Sequence, residues 1–269
     1  MRKIILFIFV ALLISCTESD RQKASKIFVD AENFYAEKNF YAAKIAIDSI
    51  HARFPRMVEY RRKADTLLWK ITLAEILHEL SLVDSALISN LAQAEMIFAE
   101  NYNFQKDERF QQVGDYEHIA MATGANAGKN YLKPITDEKG NFRFVSTLVG
   151  QKINHRAVEA TCGELSAQTL PAADADCNSY NDIGTNYETV LFNAENAKDF
   201  ILFLQDNVDN AVKITLLGDK NFSYNLSKKD VKIFVETYYF SLVLKNIAEN
   251  QAKKTEMEKI KFYLTEKIR

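Results

Sequence analysis

The sequence is poor in the two residues that most often interrupt regular secondary structure. It contains 8 glycines and 3 prolines. All of the glycines lie between Gly114 and Gly218, and Pro134 and Pro171 lie in the same interval. Because Gly and Pro mark turns, this distribution predicts a turn-rich centre between two helical ends.

The sequence also lacks a strong excess of charge and the short motifs of common enzymes. Its 34 Lys and Arg residues nearly balance 36 Asp and Glu residues, which gives no indication of a nucleic-acid partner. No Gly-rich phosphate loop, Gly-x-Ser-x-Gly elbow or Cys-x-x-Cys pair occurs. We therefore assign no cofactor and no catalytic residue, and a non-catalytic protein is favoured over an enzyme.

Long hydrophobic runs are scarce as well, and the clearest one lies near the N-terminus. Residues 4–14 are all apolar and follow Arg2 and Lys3. A helix needs about 20 apolar residues to span a bilayer, so this run is too short to remain as an anchor. A basic start before a short apolar core is typical of a secretory signal that is removed. We predict a signal peptide over residues 1–15.

A cysteine ends this N-terminal segment. Residues 13–16 read LISC, with a small residue directly before Cys16, and they resemble the lipobox of bacterial lipoproteins. The resemblance implies that Cys16 becomes the acylated N-terminus and that residues 16–23 form a lipidated tether. Several acyl chains hold a protein stably on a membrane. The expected location is the cell envelope, with the outer membrane favoured because Thr17 and not Asp follows the cysteine. The periplasmic and surface faces both remain open.

Two further cysteines, Cys162 and Cys177, complete the 3 in the chain. An exported protein folds in an oxidising compartment, where thiols tend to pair. With Cys16 assigned to lipid, the even remainder favours one disulfide between the other two. The alternative is two unpaired thiols.

Apolar spacing predicts helices over residues 24–113. One stripe advances in alternating steps of four and three: Tyr60, Ala64, Leu67, Ile71 and Ala74. This spacing keeps one face of a helix buried. From residue 58 onward the pattern fits one long helix or two helices that break near Leu77, and Asp84 interrupts the apolar stripe beyond that point. Such a length needs a partner helix alongside.

The C-terminal part, residues 228–269, carries further helical signals. Ser227 and Asp230 are spaced as in a weak capping box. Two apolar stripes follow: Val231, Val235, Tyr238 and Leu242, and then Met257, Ile260, Leu264 and Ile268. We expect this helix to pack antiparallel to the N-terminal helices, with the centre of the chain inserted between them.

The centre, residues 114–227, is predicted to form a small antiparallel sheet with at least one packed helix. Strand-like runs bounded by turn residues lie at residues 141–148, 155–161, 187–192 and 211–217. The turn after Gly218 predicts a hairpin over residues 211–226, and residues 194–208 have helical spacing. The predicted fold class is therefore α+β, with long terminal helices that flank a small antiparallel-sheet domain.

Residues 27–55 resemble a tetratricopeptide repeat, a two-helix hairpin with small residues where the helices touch. The resemblance rests on Ala31, Phe34, Phe40, Ala43, Ile47, Ile50 and Pro55. Lys38 stands where the family usually has a Gly in the turn. Exported lipoproteins of the outer-membrane assembly type begin with such hairpins, and this implies a scaffold that holds partner proteins. The whole layout is also similar to uncharacterised lipoproteins of gut bacteria, from which no activity follows.

The histidines do not have the spacing of a metal site. None of His51, His78, His118 and His155 has a second His or Cys at ligand spacing. His155 shares a strand face with Glu159, but the two lie about 13 Å apart along an extended strand. Any polar partner of His155 must therefore come from another strand.

Two polar segments remain as candidate sites. Asp115, Glu117 and His118 form a short cluster that we interpret as a charged loop. Residues 174–182 have oxygen-bearing side chains at alternate positions, as in a calcium loop, but Ser179 replaces the required glycine and Thr185 the closing glutamate. We therefore predict that residues 174–182 form an exposed polar loop, and we assign no metal to them.

Together these features favour a membrane-anchored envelope lipoprotein that acts as a non-catalytic protein-interaction module or scaffold. Its expected partners are the membrane, through the lipid, and a protein of the envelope. The first alternative is a lipoprotein that captures a glycan or peptide, with His155, Tyr180 and Tyr187 as the candidate binding residues. The second is an envelope enzyme of unfamiliar type that uses His155 or His118.

Overall fold

The structure is a computed structural model of the chain, and it describes residues 2–122, 126 and 128–269. For residues 2–18, 99 and 100 the description covers the backbone alone. The side chains of the proposed signal peptide and of Cys16 are therefore not described. None of the described helices is long and apolar enough to cross a membrane.

The described chain is a mixture of helices and antiparallel strands, which confirms the predicted α+β class. The helices are α1 (Arg2–Ala36), α2 (Phe40–Arg53), α3 (Val58–Asn101), α4 (Lys198–Asp206) and α5 (Lys228–Ile268). The strands are β1 (Tyr102–Gln105), β2 (Asp115–His118), β3 (Tyr131–Asp137), β4 (Phe142–Val149), β5 (Ala157–Cys162), β6 (Leu165–Gln168), β7 (Cys177–Asp182), β8 (Thr185–Asn193), β9 (Val212–Leu217) and β10 (Phe222–Leu226). Two compact units result: unit 1 is Met1–Ser85 with Lys253–Arg269, and unit 2 is Ala86–Ala252.

Unit 1 contains the predicted helical hairpin. α1 and α2 are joined by a tight turn in which Lys38 has a φ of 60°, the left-handed conformation that glycine usually adopts. The side chain of Asn39 caps α2 by accepting a hydrogen bond from the Ala42 amide at 3.2 Å. The core of the hairpin includes the small residues that the repeat pattern predicted to lie at the contact, together with the start of α3: Ala31, Ala43, Ala46, Ile47, Ile50, Ala64, Leu67 and Ile71.

α3 is one continuous helix and has no break at Leu77. Ile71 belongs to the hairpin core, whereas Leu80 is buried outside that cluster. These two residues lie about two and a half turns apart, which places them on opposite sides of the helix. The change of the buried side explains why a single apolar stripe does not run through the whole helix.

The C-terminal part of α5 pairs antiparallel with α3 in unit 1. Lys253 forms an ion pair with Glu79 at 2.5 Å, and Lys254 pairs with Asp84 at 2.7 Å. Near the end of α5, Lys267 lies 5.9 Å from the ring centre of Trp69. Because higher numbers on α5 meet lower numbers on α3, the predicted antiparallel pairing is confirmed. Asp84 interrupts the apolar stripe because it meets this lysine.

Unit 2 has two antiparallel sheets where the sequence predicted one small sheet. The first sheet has six strands in the order β1-β2-β3-β4-β8-β7, and the second has four in the order β10-β9-β5-β6. One core joins both sheets to α4 and to the first turns of α5. At its centre, the ring of Phe144 stacks on Phe192 and Phe200, with centroid distances of 5.0 and 5.4 Å.

The capping box at the start of α5 forms as predicted. The hydroxyl of Ser227 accepts a hydrogen bond from the Asp230 amide at 3.2 Å and donates to the Asp230 carboxylate at 2.7 Å. The predicted hairpin is also confirmed, as β9 and β10. The predicted helix within residues 194–208 is α4.

The predicted disulfide between the two cysteines of unit 2 is not present in the structure. Both Cys162 and Cys177 carry free thiols in the structure. Cys162 ends β5 in the four-stranded sheet, whereas Cys177 begins β7 in the six-stranded sheet. An even number of cysteines says nothing about position, and here the two residues belong to different sheets.

Candidate functional site

A buried polar network surrounds His155, just before β5. The Nδ1 atom of His155 contacts the carboxylate of Glu188 on β8, and Nε2 lies 3.0 Å from the hydroxyl of Ser146 on β4. The exposed fractions of Ser146, His155 and Glu188 are 0%, 1% and 4%. The acid therefore comes from another strand, as the spacing required, and Glu159 is not the partner.

Glu188 also holds the backbone that enters β5. Its carboxylate accepts hydrogen bonds from the amides of Ile153 at 3.1 Å, Asn154 at 2.8 Å and His155 at 2.7 Å. Asn154 has a φ of 53°, so its left-handed conformation turns the three amides toward one point. One side chain of the six-stranded sheet thus fixes the connection to the four-stranded sheet.

The electrostatics of this network favour an ionised Glu188 beside a neutral His155. Burial lowers the pKa of His155, and this outweighs the opposing effect of the neighbouring carboxylate. Burial by itself raises the pKa of Glu188, but hydrogen bonds from the His155 backbone, its ring and Asn154 reverse this and leave the pKa lowered. With its proton on Nδ1, the ring donates to Glu188 while Nε2 accepts from the Ser146 hydroxyl.

The connectivity of Ser146, His155 and Glu188 is that of a serine–histidine–acid triad. A nucleophile of that kind must reach its substrate, and Ser146 is completely buried on the core face of β4. Every polar atom of the His155 ring already has a partner inside the protein. The arrangement therefore joins the two sheets, and it does not present a nucleophile.

An open pocket of about 270 Å³ lies beside this network. It is lined by Lys152, Asn154, His155, Arg156, Asp174, Cys177, Asn178, Ser179 and Glu188. Arg156 contacts the carboxylate of Asp174 and donates to the Ala172 carbonyl at 3.0 Å. Burial raises the pKa of the Cys177 thiol, which keeps it protonated and weakly nucleophilic. The pocket is a polar recess at the edge of the sheet.

β7, which borders this pocket, is an edge strand of the six-stranded sheet. It pairs with β8 across a two-residue turn, where Ile183 and Gly184 have φ values of 47° and 80°. The residues that close such a turn bond to each other, and alternate residues then bond to β8. The backbone groups of Ser179 and Asn181 therefore point away from the sheet, so the segment predicted as a polar loop is an unpaired edge.

The two candidate tyrosines lie opposite each other on this hairpin. Tyr180 on β7 pairs with Tyr187 on β8, and their rings stack at 5.2 Å with an angle of 7°. Each ring covers a face of the other, which leaves less aromatic surface free for a sugar ring. Tyr180 is 47% exposed, and Ile183 at the tip of the hairpin is 98% exposed.

The cluster of Asp115, Glu117 and His118, predicted as a charged loop, lies on strand β2. Asp115 and Glu117 lie on β2 and pair with Arg143 and Lys133, in each case at 2.5 Å. His118 accepts a hydrogen bond from the Ala120 amide at 3.1 Å through Nδ1, and burial lowers its pKa. The two carboxylates and the His118 ring therefore bind neighbouring groups of the protein.

The other two histidines lie in unit 1. His51 contacts Asp65 at 3.2 Å, and His78 lies on the exposed side of α3. Within the part of the chain that the structure describes, no group of three or more His, Cys, Asp or Glu side chains is arranged to hold a metal ion.

Unit 1 has a separate groove of about 610 Å³ between α1 and α3. This α1–α3 groove is lined by Ser25, Phe28, Val29, Glu32, Tyr60, Arg62, Lys63, Thr66, Leu67 and Lys70. The rings of Phe28 and Tyr60 form part of its wall, 6.4 Å apart. A cleft of about 320 Å³ adjoins it and adds Arg21, Gln22 and Lys26.

Comparison with protein-family models, with curated proteins and with solved structures finds no match to this chain.

Proposed function

We propose that the protein is a lipid-anchored lipoprotein of the cell envelope that acts as a non-catalytic interaction module. In this proposal an extended segment of a partner protein adds to the sheet beside β7. The observation that carries the proposal is the unpaired edge at Ser179 and Asn181, with a polar recess directly beside it. Strand addition of this kind draws its affinity from main-chain hydrogen bonds and its selectivity from pockets for alternate side chains.

The position of the pocket fits this mode of binding. Cys177, Asn178 and Ser179 of β7 all line the recess, and Cys177 and Ser179 share one face of the strand because alternate residues do so. Alternate side chains of an added strand would stand on that same face, next to Lys152 and Arg156. The site therefore offers both a backbone partner and a place for a side chain.

Charge favours a different protein over a second copy of this chain. Residues 174–182 contain Asp174, Asp176 and Asp182 and no Lys or Arg. If two copies of β7 paired antiparallel around Ser179, Asp176 of one copy would lie opposite Asp182 of the other. Like charges opposite each other destabilise a strand pair. The favoured occupant is a partner segment that carries Lys or Arg.

The sealed histidine network supports a role without catalysis. Ser146 is 0% exposed and His155 is 1% exposed, and burial raises the pKa of the Cys177 thiol. The helical hairpin of unit 1 agrees with the scaffold role that its resemblance to a tetratricopeptide repeat implies.

The test replaces Ser179 with proline, which removes an outward amide without breaking the bonds to β8. The matched control is Ser166→Pro: Ser166 is exposed on β6, an edge of the other sheet, and its backbone also points away from the sheet because it follows the residue that closes a two-residue hairpin turn. After crosslinking in envelope membranes, partner recovery is expected to fall at least about tenfold for Ser179→Pro and to stay unchanged for Ser166→Pro. Equal recovery with both variants, or recovery of the chain alone without partners, contradicts the proposal.

A further inference from the structure

The α1–α3 groove carries more positive charge than its own carboxylates neutralise. Arg62, Lys63 and Lys70 line it from α3, whereas Glu32 is the carboxylate among its lining residues. Lys63 is held by Glu59 at 2.8 Å. Neither Arg62 nor Lys70 has a carboxylate partner among the contacts of the described residues.

The sequence arranges these cations in a row. Arg62, Thr66 and Lys70 follow one another at steps of four on α3, so they lie on one side of that helix. At the adjoining cleft, Lys26 adds another cation without a carboxylate partner in the described part of the chain. Arg21 shares Glu59 with Lys63, at 3.5 Å. The α1–α3 groove and the adjoining cleft together form a basic surface with an aromatic wall, which we call the basic furrow.

The lipid anchor fixes how far this furrow can lie from a membrane. Arg21 follows Cys16 by five residues in the chain. A fully extended residue spans at most about 3.6 Å, so Arg21 lies within about 18 Å of an acylated Cys16. Charges act on a charged surface over about 8–10 Å at moderate ionic strength. The proposed anchor thus keeps the Arg21 end of this surface within about two screening lengths of the headgroups.

We propose that the α1–α3 groove holds the phosphate of an anionic lipid headgroup and orients unit 1 on the membrane. Phosphate is the ligand class that suits this site, because the Arg62 guanidinium can donate two parallel hydrogen bonds to it and Lys70 adds a point charge. The aromatic wall of Phe28 and Tyr60 suits the apolar part of the same lipid. This inference rests on the proposed lipid anchor, which brings the groove to the membrane.

The test uses the chain from residue 17 onward, which lacks the leader and cannot be acylated at Cys16. Buried residues among those described begin at Ala24, so this chain keeps its cores. Vesicles of phosphatidylglycerol with phosphatidylcholine are compared with vesicles of phosphatidylcholine alone by sedimentation. Wild-type protein is expected to bind the anionic vesicles selectively, and Arg62→Gln/Lys70→Gln to lower that affinity about tenfold or more at low salt.

The control variant is Lys259→Gln/Lys261→Gln. It removes the same charge from unit 1 at two exposed positions on α5, and its affinity for anionic vesicles is expected to stay within about twofold of the wild type. Equal losses in both double variants, no selectivity of the wild type for anionic vesicles, or binding of inorganic phosphate without binding of vesicles would each overturn the inference. The mass of Cys16 in protein from the native host is measured separately. An acylated Cys16 with no groove dependence removes the inference alone, whereas an unmodified Cys16 removes the anchor itself.

Discussion

Replacement of Glu188 by alanine is expected to lower the free energy of unfolding by about 4 kcal/mol. The carboxylate accepts three backbone amides and contacts the His155 ring. Without it, the amides of the buried residues Ile153 and His155 and the His155 ring lose their acceptor, and each buried unsatisfied group costs about 1–3 kcal/mol. Urea titration measures the loss in free energy of unfolding, and amide hydrogen exchange shows whether β4 and β8 are the strands affected.

Two other variants delimit this result. Glu159→Ala changes an acid near the same histidine in sequence that has no part in the network, and its cost is expected to stay below about 1 kcal/mol. Glu188→Gln keeps one acceptor oxygen and should lose less than Glu188→Ala. If Glu159→Ala proved as costly as Glu188→Ala, the role assigned to the buried network would be wrong.

The same network makes stability depend on pH in a defined direction. The folded-state pKa values of His155 and Glu188 both lie below the ordinary values of 6.5 and 4.5. The unfolded chain therefore binds more protons in acid, and the contribution to stability is present above pH 6.5 and declines as the pH falls toward the folded-state values. Glu188→Gln should flatten the part of this decline that lies below pH 4.5.

The second large effect is expected at Gly140, in the turn between β3 and β4. Gly140 has a φ of 79°, and a Cβ atom there would lie 2.3 Å from the Lys245 amide nitrogen and 2.4 Å from the Ser241 carbonyl oxygen of α5. Both contacts are to backbone, which cannot move aside as a side chain can. Gly140→Ala is expected to lower the free energy of unfolding by about 4 kcal/mol, measured by the same titration.

Gly150 provides a matched control for this prediction. Its φ is 89°, yet a Cβ atom there would have nothing within 4 Å. Gly150→Ala therefore bears only the cost of the left-handed conformation, about 1 kcal/mol. Similar losses in the two variants would mean that the turn does not pack against α5 as described.

Periodicity predicts the helices well because the rule is local. The steps from Tyr60 to Ile71 repeat at helical spacing, and the hairpin from residue 27 to residue 55 has its small residues at the helix contact. The Ser227 cap is likewise a contact between residues three positions apart. The continuity of α3 is harder to predict, since its buried side changes between Ile71 and Leu80 in response to different neighbours.

The strands were predicted less completely because their signals depend on neighbours far along the chain. β3 contains Pro134, which usually argues against a strand within a sheet. β7 consists of polar and small residues apart from Tyr180, as expected of an exposed edge, and so it has the composition of a loop. Its hairpin turn, Ile183-Gly184, was the available signal for this pairing.

In the candidate site, too, some features follow from local spacing and others depend on residues far along the chain. Sequence spacing required that the partner of His155 come from another strand, and this can be inferred without a structure. The identity of that partner as Glu188 depends on the register of β4 and β8, which only the fold determines. The sequence could not predict that β7 is an edge strand either, because an edge is defined by the absence of a neighbouring strand in the described sheet.

The two proposals together give a tethered module with one surface for the membrane and another for a partner strand. In this account the groove of unit 1 binds headgroup phosphate, and the edge of unit 2 binds a basic segment. In this account the proposed lipid anchor keeps both surfaces near the membrane, where lipid and partner meet the protein.

The most direct test of this account is the mass of the N-terminal peptide of the protein isolated from membranes of its native host. The account predicts a peptide that begins at Cys16 and carries several acyl chains. A peptide with an unmodified Cys16, or a mature N-terminus beyond that residue, would contradict it.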